Sequence, residues 1–310
     1  MSKMEANVPC ISTEQRLVCS IIPPLSFSAH KGQAGRIAVY GGSREYTGAP
    51  YFSAISALKV GCDLAYVFCN EDSAPVIKSY SPELIVYPSL NANYATEDIK
   101  KHISKIHSVI IGPGLGRDEK IHGAIRRIIQ EAKDIKIPIV IDADGLFFIC
   151  SHFDVIKGYE NAILTPNAME FTRLYKSVVG TELVKDQETD QVKYLCEKLG
   201  NVTIVRKGCE DTISNGINTF TCKEKGSPRR CGGQGDLLSG SMGVFAYWSQ
   251  LASKEFKCHN TSPMMIAALG ACMLTRRCNR QAFQKFSRST TTCDMINEIK
   301  TSFSTLFPVD

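Results

Sequence analysis

The stretch Arg229-Arg230-Cys231-Gly232-Gly233-Gln234-Gly235-Asp236-Leu237-Leu238-Ser239-Gly240 concentrates more chemistry than any other part of this 310-residue chain. Its three glycines let a backbone approach a ligand closely and turn its N–H groups inward. A helix starting there adds the positive end of its dipole, which favours phosphate oxygens. Asp236 stands at that mouth, where its carboxylate could take a proton from an attacking hydroxyl. The same residues also suit a plain turn followed by a helix, with Asp236 as its cap. Arg229 and Arg230 either steer phosphates or form a solvated pair of charges.

Other residues of chemical type stand just after apolar runs. Asp142 and Asp144 follow Ile139-Val140-Ile141, and Asp144 suits a helix cap as well as a site. Asn167 follows Pro166 and could cap the next helix, with Glu170 three residues on. Lys207 and Gly208 follow Val202-Thr203-Ile204-Val205, and a turn at a strand end would use the same residue types. His30 reads as structural. The GxxxxGK[ST] phosphate loop is absent, which disfavours a P-loop kinase. Gly112-Pro113-Gly114-Leu115-Gly116 does not keep the GxGxxG spacing of a dinucleotide-binding dehydrogenase.

These residues need a scaffold that presents strand ends together, and the apolar pattern supplies one. Arg36 to Tyr40, Asp63 to Cys69, Leu84 to Tyr87, Ser108 to Ile111, Pro138 to Ile141, Ala162 to Leu164 and Val202 to Val205 read as strands. Runs of this kind, apolar on both faces, belong in a parallel sheet covered by helices on each side. Between them, Phe52, Ile55 and Leu58 predict one apolar helix face behind Pro50. Ile121, Ala124, Ile125, Ile128 and Ile129 predict another. Asp211 to Cys222 holds Asn215-Gly216, a hairpin signal. From Gly235 on the chain reads as mainly helical, ending in the amphipathic segment Ile296, Ile299, Phe303, Leu306. Lys176 to Thr189 reads as the most loop-like interior stretch, and Phe286 to Thr292 as a short polar break.

The expected fold is therefore α/β, a three-layer αβα sandwich with a mostly parallel, doubly wound sheet and a late antiparallel hairpin. In such a sheet ligands bind beyond the carboxyl ends of the strands, where the glycines and acids fall. Residues 1–25 read as an N-terminal extension and residues 26–310 as one domain.

Composition narrows the function classes. Net charge is +5, from 36 basic and 31 acidic residues spread along the chain, too mild for a nucleic-acid footprint. A run long and apolar enough to span a membrane is absent. The 13 cysteines are irregularly spaced without a CxxC pair, which reads as reduced thiols in an intracellular protein. The histidines lack HxxxH or HxH spacing, which argues against a structural metal site. Cytosol is the expected compartment, and an alternative start leaves a mitochondrial form open.

The block RRCGGQGDLLSG resembles the signature of the ATP-dependent NAD(P)H-hydrate dehydratases, a branch of the ribokinase-like superfamily. Further blocks follow in the family's order: His30 to Gly35 with Gly41-Gly42-Ser43, Tyr46 to Pro50, Gly112 to Arg117, Asp142 to Gly145, Leu164 to Asn167 with Glu170-Phe171, and Lys207-Gly208 with Asp211. Several blocks in order are more specific than any one. The epimerase domain fused to many bacterial relatives is missing from the sequence, which resembles the stand-alone eukaryotic form.

The resemblance implies a role for each matching position. Asp236 is then the catalytic base and a substrate contact, and Gly232, Gly233 and Gly235 form the anion hole. ATP lies against Lys207, Gly208, Cys209, Glu210 and Asp211, and against Gly226, Ser227, Pro228, Arg229, Arg230, Cys231 and Gln234. The substrate contacts are Gly114 and the run Asn167, Ala168, Met169, Glu170, Phe171, Thr172, Arg173. Glu170 is expected to hold Mg²⁺ through water. The implied reaction is ATP-dependent dehydration of the S epimer of hydrated NADH and NADPH, by phosphorylation of the ring hydroxyl and loss of phosphate. It implies a functional link to an NAD(P)H-hydrate epimerase and leaves a homo-oligomer open. Two rivals stand beside it. A small-molecule kinase of the superfamily would leave a stable phosphorylated product, and a non-catalytic binder would take ATP without turnover.

Overall fold

A computed structural model describes residues 11–91, 96–184, 187–255 and 261–309. In chain order the elements are α1 (Thr13–Cys19), β1 (Arg36–Tyr40), α2 (Gly48–Val60), β2 (Leu64–Phe68), α3 (Ala74–Tyr80), β3 (Ile85–Tyr87), α4 (Thr96–Ile103), β4 (Ser108–Ile111), α5 (His122–Asp134), β5 (Ile139–Ile141), α6 (Asp144–His152), β6 (Ala162–Leu164), α7 (Ala168–Val179), α8 (Glu188–Lys198), β7 (Thr203–Arg206), β8 (Asp211–Ser214), β9 (Thr219–Cys222), α9 (Gln234–Glu255), α10 (Pro263–Phe286), α11 (Thr292–Asn297) and α12 (Ile299–Leu306).

The strands form one nine-stranded sheet in the order β3-β2-β1-β4-β5-β6-β7-β8-β9. Every pairing from β3 to β7 is parallel, and only β7–β8 and β8–β9 are antiparallel. Side chains along each strand point alternately to opposite faces, and here both faces are buried. Ile37, Val39, Ile110, Val140 and Ile163 pack with α1, α2, α3, α9, α10, α11 and α12. Their neighbours Ala38, Tyr40, Val109, Ile111, Ile139, Ile141 and Leu164 pack with α4, α5, α6, α7 and α8. This is the expected αβα sandwich. Val18 and Ile21, from the stretch set apart as an extension, are buried in the first of these cores.

Three details depart from the sequence pattern. Helix α2 is not a one-faced amphipath: Ser53, Ala54, Ser56 and Ala57 are fully buried, while Phe52 and Leu58 are only partly so. It is wedged between the sheet and α9, and small residues let the helix backbones touch. A Cβ on Gly240 would lie 2.0 Å from the Ser53 carbonyl oxygen. Helix α7 runs on through Lys176 to Val179, inside the stretch expected to be loop, until Gly180 turns left-handed at φ 81°. Residues 185–186 of that stretch lie outside the described residues. Finally, the last amphipathic segment is two helices that meet at Glu298, a buried carboxylate bonded to Lys285 Nζ at 2.6 Å. The expected hairpin of Asp211 to Cys222 forms as β8 and β9, its four-residue loop held by Asn215 Oδ1, which accepts from the Ile217 and Asn218 amides.

The Gly240 contact carries a prediction. Gly240→Ala forces backbone against side chain between two packed helices, and overpacking of this kind costs about 1–3 kcal/mol or more. The variant is expected to melt several degrees lower in a thermal scan, or to accumulate poorly as folded protein.

Candidate active site

Five loops converge at the carboxyl ends of the central strands. The strand order reverses between β1 and β4, which is where an open α/β sheet leaves its crevice. Here that crevice is closed by glycine contacts. The Gly42 amide donates to the Pro113 and Gly114 carbonyls, both at 3.1 Å. A Cβ on Gly41 would meet the Pro113 oxygen at 2.1 Å, and one on Gly112 would meet the Asp142 oxygen at 1.8 Å. Gly114 itself is left-handed, φ 59°, with Tyr46 against it. The open space is displaced toward β5, β6, β7 and the start of α9. It is a cleft of about 750 Å³ whose walls include Asp142, Glu170, Lys207, Gly233, Gly235 and Asp236.

At its floor Asp142, 2% exposed, follows β5. Its Oδ1 accepts from Thr165 Oγ1 at 2.8 Å and from Lys207 Nζ at 2.8 Å. Thr165 follows β6 and Lys207 follows β7, so three adjacent strands deliver the three groups. The next residue, Ala143, is held at φ 48°, a region costly for a side chain and often found at working sites. Glu170 Oε2 lies 3.9 Å from Lys207 Nζ. That oxygen also accepts from the Asn167 amide, while Asn167 Oδ1 accepts from the Glu170 amide. Asn167 thus caps α7, and the reciprocal bond holds the Glu170 carboxylate at the wall of the cleft.

Helix α9 points its N-terminus at this pair. A Cβ on Gly235 would lie 3.5 Å from Asp142 Oδ2 and 3.6 Å from Lys207 Nζ. Asp236 is the next residue, and burial, then the charge of Asp142, raise its pKa well above the usual carboxylate value, with Lys207 opposing. Burial raises Glu170 as well, against the pull of Lys207. Burial alone would lower the Lys207 ammonium, but Asp142 and Glu170 together hold it above its ordinary value. Three carboxylates, Asp142, Glu170 and Asp236, thus act on the one ammonium of Lys207.

The remaining expected residues divide. Gly208, Cys209, Asp211, Gly226, Arg230, Cys231 and Gln234 also line the cleft, whereas Glu210, Ser227, Pro228, Arg229 and Gly232 are not among its walls. Both carboxylate oxygens of Asp211 are engaged by Arg276, each at 2.6 Å, so the acid serves to fix that arginine. Arg229 turns away to the Thr290 carbonyl at 3.3 Å, and Ser227 donates its amide to Asn279 at 2.6 Å. In the run after Asn167, Ala168 and Met169 are exposed, and Phe171 is buried in the core beside Leu174. Thr172 bonds back to the Ala168 carbonyl at 3.0 Å. Arg173 and Glu170 line a small neighbouring hollow with Arg117 and Phe147. Asp144 is not a helix cap: its carboxylate accepts from the Gly116 amide at 3.0 Å and from Arg117 at 3.3 Å. His30 is exposed, away from these loops.

The structure also supplies residues that the sequence did not single out. Thr275, Arg276, Asn279 and Met295 border the cleft. Arg276 and Asn279 sit on α10, in a stretch without glycine or acidic punctuation, so no local signal marked them.

The fold is ribokinase-like. The chain is similar to a ribokinase-like superfamily protein of Enterococcus faecalis, with TM-score 0.74 and 19% identity over 94% of this chain and 95% of that one. It is also similar to the ADP/ATP-dependent NAD(P)H-hydrate dehydratase of Bacillus subtilis co-crystallized with ATP/Mg²⁺, with TM-score 0.70 and 20% identity over 94% and 97% of the two chains. The chain belongs to the NAD(P)H-hydrate dehydratase family, whose sequence profile matches residues 37–301. The ATP-dependent (S)-NAD(P)H-hydrate dehydratase of Pongo abelii is 53% identical over 292 residues, 94% of this chain and 88% of that protein.

Proposed function

We propose that this enzyme uses ATP to dehydrate the S epimer of hydrated NADH and NADPH, restoring the reduced dinucleotides and releasing ADP and phosphate. The observation that carries the reading is the placement of Asp236 at the glycine-lined mouth of α9, beside the Asp142–Lys207 pair. A carboxylate with a raised pKa is a better proton acceptor than an ordinary one. Asp236 takes the proton of the ring hydroxyl as its oxygen attacks the γ-phosphorus of ATP, and the bond to ADP breaks. The first N–H groups of α9 have no partner inside the helix and face the charge that develops on the transferred phosphoryl group. The C–O bond to the ring then breaks, phosphate leaves with the electron pair, and a proton lost from the adjacent ring carbon restores the double bond. Phosphoryl transfer asks the protein mainly for position and charge, which these residues provide.

The residues also fit Mg²⁺ brought in by ATP. Among the described residues no group of three or more His, Cys, Asp or Glu is gathered into a metal cage. Magnesium at phosphate sites keeps several waters and uses one or two carboxylates, which Glu170 and its neighbours can offer. The carboxylates Asp142, Glu170 and Asp236 outnumber Lys207, so a divalent cation offsets excess negative charge. Glu170 would hold it through water, and when bound it neutralises charge on the phosphates. Because one epimer alone is consumed, the enzyme works beside an epimerase that interconverts the two, in the cytosol where reduced cysteines persist.

Absorbance at 340 nm tests the reading, with purified protein, hydrated NADH, Mg²⁺ and ATP beside a control lacking ATP. An ATP-dependent rise with stoichiometric phosphate is expected. A stable phosphorylated product in place of free phosphate would overturn it in favour of a small-molecule kinase.

A further inference from the structure

The glycine loop that opens α9 is held from outside by the C-terminal helices, and one of these contacts acts directly on the peptide at the mouth of the cleft. Thr292, the first residue of α11 and 2% exposed, donates its hydroxyl to the Gly232 carbonyl at 2.6 Å. A peptide unit is planar and trans, so its C=O and N–H point in opposite directions. Fixing the Gly232 oxygen on Thr292 therefore fixes the direction of the Gly233 N–H, which lies on the other side of the same plane. Gly233 also holds a left-handed backbone, φ 91°, which glycine adopts freely and a side chain would strain. A Cβ there would stand 2.8 Å from Phe52 and 2.9 Å from Thr292 Oγ1, so Thr292 is also part of what requires glycine. By contrast, nothing lies within 4 Å of where a Cβ on Gly232 would be, so the loop is anchored by its carbonyl and not by packing of its outer surface.

We infer that Thr292 is a positioning residue for phosphoryl transfer: its hydroxyl aims the Gly233 N–H at the charge developing on the transferred group. This rests on the reading of the cleft as an ATP-dependent phosphoryl-transfer site. The inference separates Thr292 from its neighbours in the same network. Asn279 accepts the Ser227 amide at 2.6 Å and Arg229 reaches the Thr290 carbonyl at 3.3 Å, but both act on the loop several residues before the helix begins. Among the described residues, only the Thr292 bond acts on the peptide whose N–H opens α9. Cys231 Sγ, 3.6 Å from the same hydroxyl, does not replace it, since a thiol is a weak donor.

A donor aimed only at the transition state should affect kcat and leave KM for ATP nearly alone. Thr292→Val keeps shape and removes the hydroxyl. It is expected to lower kcat by about 10²-fold, the lower end for losing one such donor, with KM for ATP changed by less than about threefold. Thr292→Ser should recover most of the loss. Calorimetry with ADP and with ADP–aluminium fluoride, a planar mimic of the group in transfer, gives a readout independent of turnover. Thr292→Val should bind ADP as the wild type does and lose affinity for the aluminium fluoride complex by a factor comparable to that in kcat. Thr292→Ala carries the same expectation if the valine variant does not fold. The assignment is overturned if the wild type prefers the mimic and the valine or alanine variant prefers it equally, or if ADP and the mimic weaken together. A wild type with no preference for the mimic over ADP would remove the phosphoryl-transfer reading itself, and the role of Thr292 with it.

Discussion

Asp236→Asn is expected to lower kcat by about 10³-fold, within the range for loss of a general base, and at the same time to raise the melting temperature. The first effect follows from removing the proton acceptor while keeping its shape, so ATP affinity should change little. The second follows from the direction of the pKa. Burial and the neighbouring charge of Asp142 hold the Asp236 carboxyl well above its ordinary value, so the folded protein binds that proton more tightly than the unfolded chain. Stability from this group is thus full below the unfolded-state pKa and falls as pH rises toward and through the folded one. At neutral pH the charged form is a cost, which a neutral amide removes. Activity runs the opposite way, since the base must be unprotonated: kcat/KM of the wild type should fall as pH drops through the raised pKa. Phosphate release and thermal melts at pH 5 to 9 check both halves. A dead variant that also melts lower would show that Asp236 supports the fold and would leave the catalytic role unproven.

How much of this was legible in the chain depends on the range of the forces involved. Strands β1, β4, β5 and β6 are short runs whose side chains are buried on both faces, and that pattern is written in consecutive residues. The stripe of α5 is local in the same way. The mouth of α9 was legible because glycines and an acid crowd into a few positions. What was not legible is set by contacts between distant segments. Asp142 and Lys207 are 65 residues apart, and only the parallel pairing of β5, β6 and β7 brings them together. Thr292 reaches the glycine loop across 60 residues, from a helix six residues long whose local capping box, Thr291 with Asp294, says nothing of that loop. The second buried face of α2 has the same origin: Ser53 is satisfied there by Ser239 of α9, 3.2 Å away. The run from Ala168 to Arg173 shows the converse limit. A motif match covers consecutive residues, but a helix turns about 100° per residue, so Phe171 enters the core while Glu170 faces the cleft.

The pair Asp142–Lys207 should give the largest stability effect, and its two halves should move the pH profile in opposite directions. The side chains are 3% and 21% exposed, and their bond is 2.8 Å. Lys207→Met leaves the Asp142 carboxylate buried with, among the described residues, the Thr165 hydroxyl to bond it, and breaking one side of a buried pair costs about 3–5 kcal/mol. Asp142→Asn keeps an acceptor for Lys207 and for Thr165, so its cost should be smaller. Lys207 lowers the pKa of Asp236 and Asp142 raises it, against a larger contribution from burial. Removing Lys207 should therefore shift the acid limb of kcat/KM to higher pH, and removing the Asp142 charge should shift it to lower pH. Denaturant melts of the two variants and of the double variant separate the terms. The double variant is expected to be more stable than the sum of the single losses allows, because it no longer buries an unpartnered charge. Additive losses with an unmoved acid limb would mean that the two residues serve packing alone, and that neither sets the proton affinity of Asp236.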